Sequence, residues 1–228
     1  MELEGATAVV TGANRGLGRH LAEQLVQRGA KVYAAARKPE AVDLEGVTPL
    51  RLDVTDETSI REAARVASDT TLLINNAGIS LYAPLIAGDP EAVRAEMNTN
   101  FFGTLAVTRS FVPIIESNGG GAILNVLSVL SWLHPAQVGS YAASKAAAWA
   151  MSNAIREELA PRRIAVSTLH VGYMDTDMTA DVAAQDKADP ADVAAQALSG
   201  MENGLPEILA DDITRQVKQS LAGTPALR

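Results

Sequence analysis

Cysteine is absent from the 228 residues of this chain, so disulfide bonds and thiolate catalysis are both excluded. The lack of disulfides favours a cytoplasmic location. Histidine is also scarce. His20, His134 and His170 lie far apart in the sequence and lack the spacing of metal ligands, so we expect no metal site.

Positive charge is in short supply, with 19 lysine and arginine residues against 27 aspartate and glutamate residues and a net charge of −8. A surface of this sign argues against a protein that binds nucleic acid through its phosphates. No apolar run is long enough to span a bilayer, and the first residues, MELEGATAVV, lack the basic region of a secretory signal. With 47% hydrophobic and 20% charged residues, the composition is typical of a soluble globular protein, and we expect no membrane partner.

Apolar runs of strand length alternate with helical patterns along the chain. Because these strands are continuously apolar, we expect a parallel sheet with helices on both faces. The pattern predicts an α/β fold: a single doubly wound Rossmann-type domain over residues 1–228, with a parallel sheet of about seven strands. Strands are predicted at 6–11, 31–36, 48–53, 71–75, 121–127, 164–169 and 207–210, and helices at 17–27, 55–68, 90–116 and 140–159. Ligands of such sheets bind beyond the carboxyl ends of the strands, so residues that follow each strand are candidates for a site.

Three glycines follow the first strand, in the segment Gly12-Ala-Asn-Arg-Gly-Leu-Gly18. Glycine lets the backbone approach a ligand closely, and the N-terminus of the next helix offers free N–H groups to a pyrophosphate. A plain tight turn is the alternative. The placement between a strand and a helix favours nucleotide binding.

The second strand ends at Ala36, where an acidic residue would bind the ribose hydroxyls of NAD. Arg37 and Lys38 follow instead, and Arg15 of the glycine turn is expected to converge on the same place. Guanidinium groups suit a 2′-phosphate, and two contacts of about 1.5 kcal/mol each would give roughly a hundredfold preference. The alternative is that Arg37 and Lys38 are ordinary surface charges. The missing acid favours NADP(H) over NAD(H).

Tyr141 and Lys145 share one face of an alanine-rich helix, SYAASKAAAWA, because residues four apart lie one turn apart. Ser128 follows the fifth strand. Reduction of a ketone needs a proton on its oxygen, and lowering a tyrosine pKa from about 10 to about 7 takes about 4 kcal/mol. An ammonium at about 4 Å supplies about that much at an effective dielectric near 20, and a serine hydroxyl positions the carbonyl oxygen. A packed tyrosine and a solvated lysine on an amphipathic helix are the alternative.

A set of motifs resembles the short-chain dehydrogenase/reductase family, in order and spacing, over almost the whole chain. It consists of the Thr-Gly-x3-Gly-x-Gly turn of Thr11–Gly18, the sequence Asn75-Asn-Ala-Gly78, Asn100, Ser128, Tyr141 and Lys145. The resemblance implies that Tyr141 is the acid/base and that Lys145 lowers its pKa and bonds the nicotinamide ribose. It also implies that Ser128 orients the carbonyl, and that Asn100 holds a helix bend and a water near Lys145.

The resemblance further implies which residues hold the cofactor. Asp53 would accept from the adenine amino group, with a helix cap as the alternative. Asn75–Gly78 would lie over the ribose, with a plain turn as the alternative. Val171 stands where the family has proline, which puts the rigidity of that loop in question, whereas Gly172 and Thr176 fit a contact to the nicotinamide amide. The full set predicted to bind NADP(H) is Gly12, Asn14, Arg15, Gly16, Leu17, Gly18, Arg37, Asp53, Val54, Asn75, Ala77, Gly78, Tyr141, Lys145, Val171, Gly172, Met174 and Thr176.

The predicted function is the NADPH-dependent, reversible reduction of a ketone or aldehyde to an alcohol. One alternative is a catalytically silent NADP-sensing or scaffold protein, which is expected to lose the tyrosine or the lysine. Another is a nucleotide-sugar epimerase or dehydratase, which usually has a longer C-terminal substrate domain. We expect a small apolar or aromatic carbonyl substrate, a short polar lid from about 178 to 190, and a homo-oligomer, either dimer or tetramer. The residues predicted to line the substrate pocket are Leu81, Tyr82, Leu130, Trp132, Leu133 and Met174.

Overall fold

Seven parallel strands form one sheet, in the order β3-β2-β1-β4-β5-β6-β7, in the computed structural model, which describes residues 1–221. The strands are β1 Thr7–Thr11, β2 Lys31–Ala36, β3 Val47–Arg51, β4 Leu72–Asn75, β5 Gly121–Val126, β6 Ile164–His170 and β7 Glu207–Leu209. The predicted α/β fold, a single doubly wound domain, is confirmed. The end of the predicted 1–228 domain, residues 222–228, lies outside the described residues.

Two helical layers cover the sheet. The α-helices are α1 Gly16–Gln27, α2 Glu57–Val66, α3 Pro90–Met97, α4 Thr104–Ser117, α5 Gly139–Leu159, α6 Pro190–Glu202 and α7 Asp212–Ser220. Helices α1 and α6 pack on one face, and α2, α4 and α5 pack on the other. Within residues 1–221, no helix is both long enough and apolar enough to cross a bilayer.

The strands are apolar on both sides because each side meets a helical layer. In β1, Ala8 and Val10 point into the core that contains α1, whereas Val9 points into the core that contains α4. The chain order changes direction between β1 and β4. The carboxyl ends of these two strands therefore flank the switch point, where ligands of doubly wound sheets bind.

The long helix predicted from 90 to 116 is broken into α3 and α4 by a π-helical segment, Asn98–Gly103. Pro113 lies inside α4. The π segment packs closely on the loop after β3, because a Cβ on Gly103 would come within 2.8 Å of the Val54 carbonyl oxygen. Such segments are frequent at functional sites, and this one carries Asn100.

A chain of buried polar side chains joins α4, the sheet and α5. The Asn75 amide donates to the Thr108 hydroxyl at 3.0 Å and to Asn125 Oδ1 at 2.9 Å. Asn125 in turn donates to the Ser152 hydroxyl at 2.9 Å. Each of these groups has a partner, so the chain fixes the position of both helices on the sheet without leaving a buried donor unpaired.

We expect Asn125→Ala to lower the free energy of unfolding by about 2–4 kcal/mol, because it leaves one N–H of the buried Asn75 amide without an acceptor, removes the bond to the Ser152 hydroxyl and opens a small cavity. Urea denaturation measures the loss. The control is Asn203→Ala, since Asn203 is exposed and makes one bond to the Ser199 carbonyl. Its loss should stay below about 1 kcal/mol. Equal losses in the two variants would show that the buried polar side chains add no more to the free energy of unfolding than an exposed asparagine does.

Candidate active site

The glycine-rich turn between β1 and α1 lies at the switch point of the sheet. Gly12 and Gly16 have φ angles of +68° and +52°, a region that glycine enters without strain. A Cβ on Gly18 would lie 2.3 Å from the Gly12 carbonyl oxygen, so no larger residue fits there. The turn brings the N-terminus of α1 to the cleft.

Asn76, which was not among the predicted site residues, ties this turn to the end of β4. Its amide donates to the carbonyl oxygens of Thr11 at 2.9 Å and Gly12 at 3.3 Å. The Thr11 hydroxyl accepts from the N–H groups of Asn76 and Ala77, both at 3.0 Å. The second asparagine of the Asn75–Gly78 motif is therefore the one that shapes the switch point.

The side chain of Asn75, by contrast, does not reach the cleft. It is 5% exposed and its amide belongs to the buried polar chain. Side chains alternate along a strand, so Asn75 shares a face with Leu73, which packs in the core with α4. The predicted cofactor contact is therefore not supported through this side chain. Leu17 is also buried in the core, and Met174 packs against it.

The first turn of α1 has neither a capping side chain nor an acidic residue. Four other helices begin with an aspartate that accepts from an N–H of the first turn: Asp56 for α2, Asp89 for α3, Asp189 for α6 and Asp211 for α7. The contrast leaves the α1 N–H groups available to an external anion. With the close backbone of the glycine turn, this donor set fits a pyrophosphate.

Arg37 and Lys38 are exposed just beyond the end of β2, where the chain has no acid. Arg15 was expected to converge on them, but its guanidinium contacts the Asp177 carboxylate at 3.0 Å. The side chains of both partners are more than two thirds exposed, at 69% and 75%. Such an exposed pair is weak, so Arg15 can exchange this partner for a phosphate at little cost.

The positive charge of Arg37 acts on the Asp53 carboxylate. Burial raises the pKa of Asp53, but hydrogen bonds from Thr55 and the charges of Arg37 and Arg51 hold it below its usual value. Asp53 Oδ1 accepts from the Thr55 N–H at 2.9 Å and from its hydroxyl at 2.7 Å. The alternative that Asp53 caps α2 is wrong, because Asp56 does so.

The ammonium group of Lys145 is buried inside the protein. The residue is 5% exposed, and Nζ donates to the Val126 carbonyl oxygen, at the end of β5, at 2.8 Å. A Cβ on Gly78 would lie 3.6 Å from Nζ and 3.1 Å from Asn100 Oδ1, so glycine leaves room beside the ammonium that a side chain would fill. Burial lowers the pKa of Lys145 to about 8. An ammonium has three N–H donors, and within the described residues the Val126 carbonyl is the acceptor recorded for them, so the group retains donors for a ligand.

Asn100 links the π segment to the cleft on both sides. Its Oδ1 accepts from the Ile79 N–H, and its Nδ2 donates to the Ile79 carbonyl and to the Ser144 hydroxyl, each at 2.9 Å. Ser144 directly precedes Lys145. Asn100 thus positions the loop after β4 against the helix that carries Lys145. Its side chain is fully engaged, rather than exposed to solvent on a helix surface.

Ser128 begins the loop after β5 and is 7% exposed. Its hydroxyl accepts from the Leu130 N–H at 3.1 Å and lies 3.5 Å from the Val171 carbonyl oxygen. A hydrogen bond with Ser128 also lowers the pKa of Tyr141, although not by enough to offset burial. The serine therefore lies between the β6 loop and the tyrosine, where a carbonyl oxygen is expected to bind.

The direction predicted for the Tyr141 pKa is wrong. Burial raises it above its ordinary value, and the nearby Glu96 and Tyr82 add to the rise. Lys145 Nζ is 5.7 Å from the centre of the Tyr141 ring. The predicted fall depends on an ammonium at about 4 Å, whereas the loss of water around the phenol penalises the phenolate and has the larger effect. Tyr141 is therefore held as a neutral hydroxyl at pH 7, which is the form of a proton donor.

The geometry agrees with the comparison to known proteins. A family model described as short chain dehydrogenase matches residues 6–187. The chain belongs to the short-chain dehydrogenase family. Its doubly wound fold with a seven-stranded parallel sheet is the one that the sequence predicted.

This short-chain dehydrogenase is similar to one from Burkholderia cenocepacia J2315, solved in complex with NADP. The two are 43% identical, the match covers 98% of this chain and 95% of the other, and the TM-score is 0.94. A curated relative, the NADPH-dependent 1-acyldihydroxyacetone phosphate reductase of Schizosaccharomyces pombe, is 37% identical over 77% of this chain, and the match spans 62% of that enzyme. The 3-oxoacyl-(acyl-carrier-protein) reductase of Vibrio harveyi is 33% identical over 78% of each chain.

The loop after β6 gains from α7 the rigidity that the missing proline puts in question. The Gly172 N–H donates to Asp211 Oδ2 at 2.5 Å, while Asp211 Oδ1 accepts from the Thr214 N–H at 2.8 Å and caps α7. Val171 is 2% exposed, and its carbonyl accepts from the Val129 N–H at 3.0 Å. Asp211 was missed in the sequence because its partner is 39 residues away.

Thr176 of the same short-chain dehydrogenase loop reaches the glycine turn. A Cβ on Gly16 would lie 3.3 Å from its methyl carbon. The loop therefore spans from Ser128 to the N-terminus of α1. This is the path that a dinucleotide would follow from its nicotinamide to its pyrophosphate.

Glu96 is a further residue that the sequence argument missed. It is fully buried, accepts from the Leu81 N–H at 2.6 Å and bonds the Ser140 hydroxyl. The Ser140 hydroxyl oxygen also lies 2.8 Å from the Ala83 carbonyl oxygen, so the two acceptors share its one proton. Glu96 thus joins the loop after β4 to the start of α5, next to Tyr141. The spacing of four residues between Glu96 and Asn100 places them on one helix face, and this signal was available in the sequence.

Trp132 is predicted to line the substrate pocket, but its side chain is almost fully buried. It is 7% exposed, and its ring stacks on His170 with a centroid distance of 4.0 Å. Burial lowers the pKa of His170 to about 4, so the imidazole is neutral at pH 7 and suits this stacking. Leu81, Tyr82 and Leu133, from the same predicted set, are exposed at the cleft side of the molecule.

We expect Asp211→Asn to speed hydrogen exchange at the Gly172 amide at least about tenfold, because a hydrogen bond to a charged acceptor is lost. Exchange followed by NMR or mass spectrometry measures it. The matched control is Asp212→Asn at the next residue, whose carboxylate is exposed and bonds Arg215. If the two variants exchange alike at Gly172, Asp211 does not hold the loop.

Proposed function

We propose that the protein catalyses the NADP(H)-dependent, reversible reduction of a ketone or aldehyde to an alcohol. The observation that carries the proposal is a buried Lys145 ammonium beside Tyr141 and Ser128, at the carboxyl edge of the sheet and next to the switch point. Strongly shifted pKa values in a cleft are typical of residues that take part in chemistry.

The hydrogen-bond donors along this edge of the sheet are suited to binding a dinucleotide. The α1 N–H groups and the glycine turn would hold its pyrophosphate, Lys145 the ribose hydroxyls, and Gly172 and Thr176 its nicotinamide amide. The nicotinamide supplies the hydride that reduces the carbonyl carbon. The side chains of this chain have to supply the orientation and the proton.

NADP(H) is proposed over NAD(H) because Arg37 and Lys38 are exposed where an acid would bind a ribose hydroxyl, and Arg15 of the glycine turn is held only by an exposed pair. A 2′-phosphate would displace Asp177 from Arg15 and form a charge-assisted bond in its place. The complex of the Burkholderia relative with NADP, and the NADPH dependence in the name of the Schizosaccharomyces relative, support the same choice.

Tyr141 is proposed to donate the proton to the carbonyl oxygen, since its raised pKa keeps the phenol protonated at pH 7. Ser128 is proposed to hold the same oxygen by a hydrogen bond. The Lys145 charge stabilises the phenolate that forms as the proton leaves. Asn100 is proposed to support this arrangement by fixing Ser144 and the loop after β4.

A catalytically silent sensor or scaffold on the same fold is the alternative. The depressed pKa of Lys145, about 8 against 10.5, corresponds to about 3 kcal/mol of disfavoured charge. Nucleotide binding alone does not require a buried ammonium, so this unfavourable free energy favours the enzyme over the silent sensor. The cytoplasmic location, the homo-oligomer and a single domain that extends over 1–228 remain predictions.

Tyr141→Phe should remove the proton donor and lower the turnover of NADPH with ketones, aldehydes and oxoacyl thioesters by at least about a hundredfold. NADPH affinity should change by less than about threefold. The control is Tyr33→Phe, whose hydroxyl bonds Lys31 and Asp69 away from the cleft. If the wild type and both variants bind NADPH but none turns over, the silent sensor is favoured. Full activity in Tyr141→Phe contradicts the proposed mechanism.

Arg37→Ala should reduce the preference for NADPH over NADH in kcat/KM by about tenfold, the value of one charge-assisted hydrogen bond. Arg65→Ala, at an exposed position near the end of α2, is the control and should leave the ratio unchanged. An unaltered ratio in Arg37→Ala would mean that this guanidinium does not contact a 2′-phosphate.

A further inference from the structure

Three loops border Tyr141, and we name them the first, second and third cleft loops. They are residues 76–89 after β4, residues 127–138 after β5 and residues 171–189 after β6. Because β4, β5 and β6 are neighbours in the sheet, the three loops stand side by side at its carboxyl edge. The Tyr82 hydroxyl donates to the Met178 carbonyl at 2.9 Å, which joins the first loop to the third.

The cleft loops carry most of the exposed apolar surface. Of the twelve large hydrophobic side chains that are exposed within residues 1–221, seven belong to these loops: Leu81, Tyr82, Leu85, Ile86, Leu133, Tyr173 and Met178. A soluble protein rarely gathers such side chains without a ligand or partner to cover them. The first loop also holds Tyr82 at a φ of +53°, a conformation that non-glycine residues seldom adopt.

The same loops carry almost no positive charge. The first and second loops contain no lysine or arginine, and the third contains Lys187 against five aspartates. The Lys187 side chain is 7% exposed and its Nζ bonds the Asp175 carboxylate at 3.2 Å. The N–H of Ser140 in the first turn of α5, which also points toward this side, already bonds the Ala83 carbonyl at 3.2 Å.

The basic groups on the neighbouring elements are also paired with acids. Arg15 contacts Asp177 at 3.0 Å, and Arg215 of α7 contacts Asp212 at 2.8 Å. Lys218 of α7 lies over the Trp132 ring, 4.5 Å from its centre, and bonds Glu207 at 2.6 Å. Beyond the Lys145 ammonium at the floor of the cleft, no free cation is recorded on the described elements around the substrate entrance.

We propose that the substrate is an uncharged carbonyl compound with an apolar chain or ring, and that the cleft discriminates against anionic carbonyl compounds. The proposal rests on the proposed reductase function. An apolar body is favoured because it would cover Leu133, Tyr173 and Met178. A phosphate-bearing body would meet five aspartates and one paired lysine on the third loop, and Arg15 is assigned to the 2′-phosphate of the cofactor, so both attraction and hydrogen bonding would be weak.

This substrate class separates the protein from two relatives that are named for other substrates. The Schizosaccharomyces enzyme is named for an acyldihydroxyacetone phosphate, and the Vibrio enzyme for an acyl group on a carrier protein. The chemistry at Tyr141 is common to any ketone. The charge and the apolar surface of the three cleft loops are what would select among them.

The test uses one 3-oxoacyl group on two thioester carriers. N-acetylcysteamine is neutral, whereas coenzyme A carries phosphates, and the reacting ketone is the same. The proposal predicts a kcat/KM at least about tenfold higher for the neutral thioester at low salt. It further predicts a gap that narrows as salt is raised, since salt screens exposed charges. Lengthening the acyl chain by one methylene should raise kcat/KM about threefold.

A double variant, Asp175→Asn with Asp181→Asn, tests whether the negative charge of the cleft loops causes the preference for the neutral thioester. It releases Lys187 and should raise kcat/KM for the coenzyme A thioester at least about threefold, while the neutral thioester stays within about twofold. The matched control is Glu157→Gln with Glu158→Gln, exposed near the far end of α5, about 25 Å along the helix from Tyr141. That variant should alter neither rate.

The outcomes separate the substrate class from the function. Equal or better turnover of the coenzyme A thioester, with NADPH oxidised in both cases, overturns the substrate class and leaves the reductase intact. A preference for a cationic ketone of matched size over a neutral one also overturns it. If NADPH binds but no carbonyl compound of any charge is reduced, the proposed function fails and the substrate class fails with it.

Discussion

The burial of the Lys145 ammonium is the constraint on which the rest of the site depends. Its Nζ has one described backbone partner, the Val126 carbonyl, and its pKa is depressed to about 8 because water is excluded. A group in this condition is tolerated when the structure around it is held in place and when a further partner completes its hydrogen bonds. Gly78 leaves the space for that partner, and Asn100 holds the adjacent Ser144.

The elements around Lys145 are held in place by hydrogen bonds between their side chains and the neighbouring loops. The π segment turns Asn100 toward both Ile79 and Ser144, and Glu96, one turn earlier, joins the same loop to Ser140. The loop after β4 is thereby fixed to the helix that carries Tyr141. On the opposite side, Asp211 holds Gly172 through the cap of α7. Tyr141 on α5 is partly buried, and the loss of water around its hydroxyl raises its pKa.

Periodic and local signals in the sequence predicted the strands, the sheet and the glycine turn, because they depend on neighbouring residues. Interactions between distant residues were not predictable in this way. The Asp211–Gly172 bond arises only when α7 meets the loop after β6, and the Trp132–His170 stack only when β5 and β6 pair. The pKa of Tyr141 was mispredicted for a related reason: it depends on how much water the folded chain excludes, and the sequence shows only which charges are near. The side-chain direction of Asn75 was predictable from strand alternation, since Leu73 shares its face.

The most direct test of the buried charge is a titration of Lys145 itself. Carbon-13 NMR of the lysine Cε groups, recorded from pH 6 to pH 11, reports each ammonium separately, and Lys145→Met identifies the signal that belongs to this residue. Because burial disfavours the charged form, Lys145 should lose its proton with a midpoint near pH 8. A midpoint near the ordinary value of 10.5 would contradict a desolvated ammonium at the centre of the site.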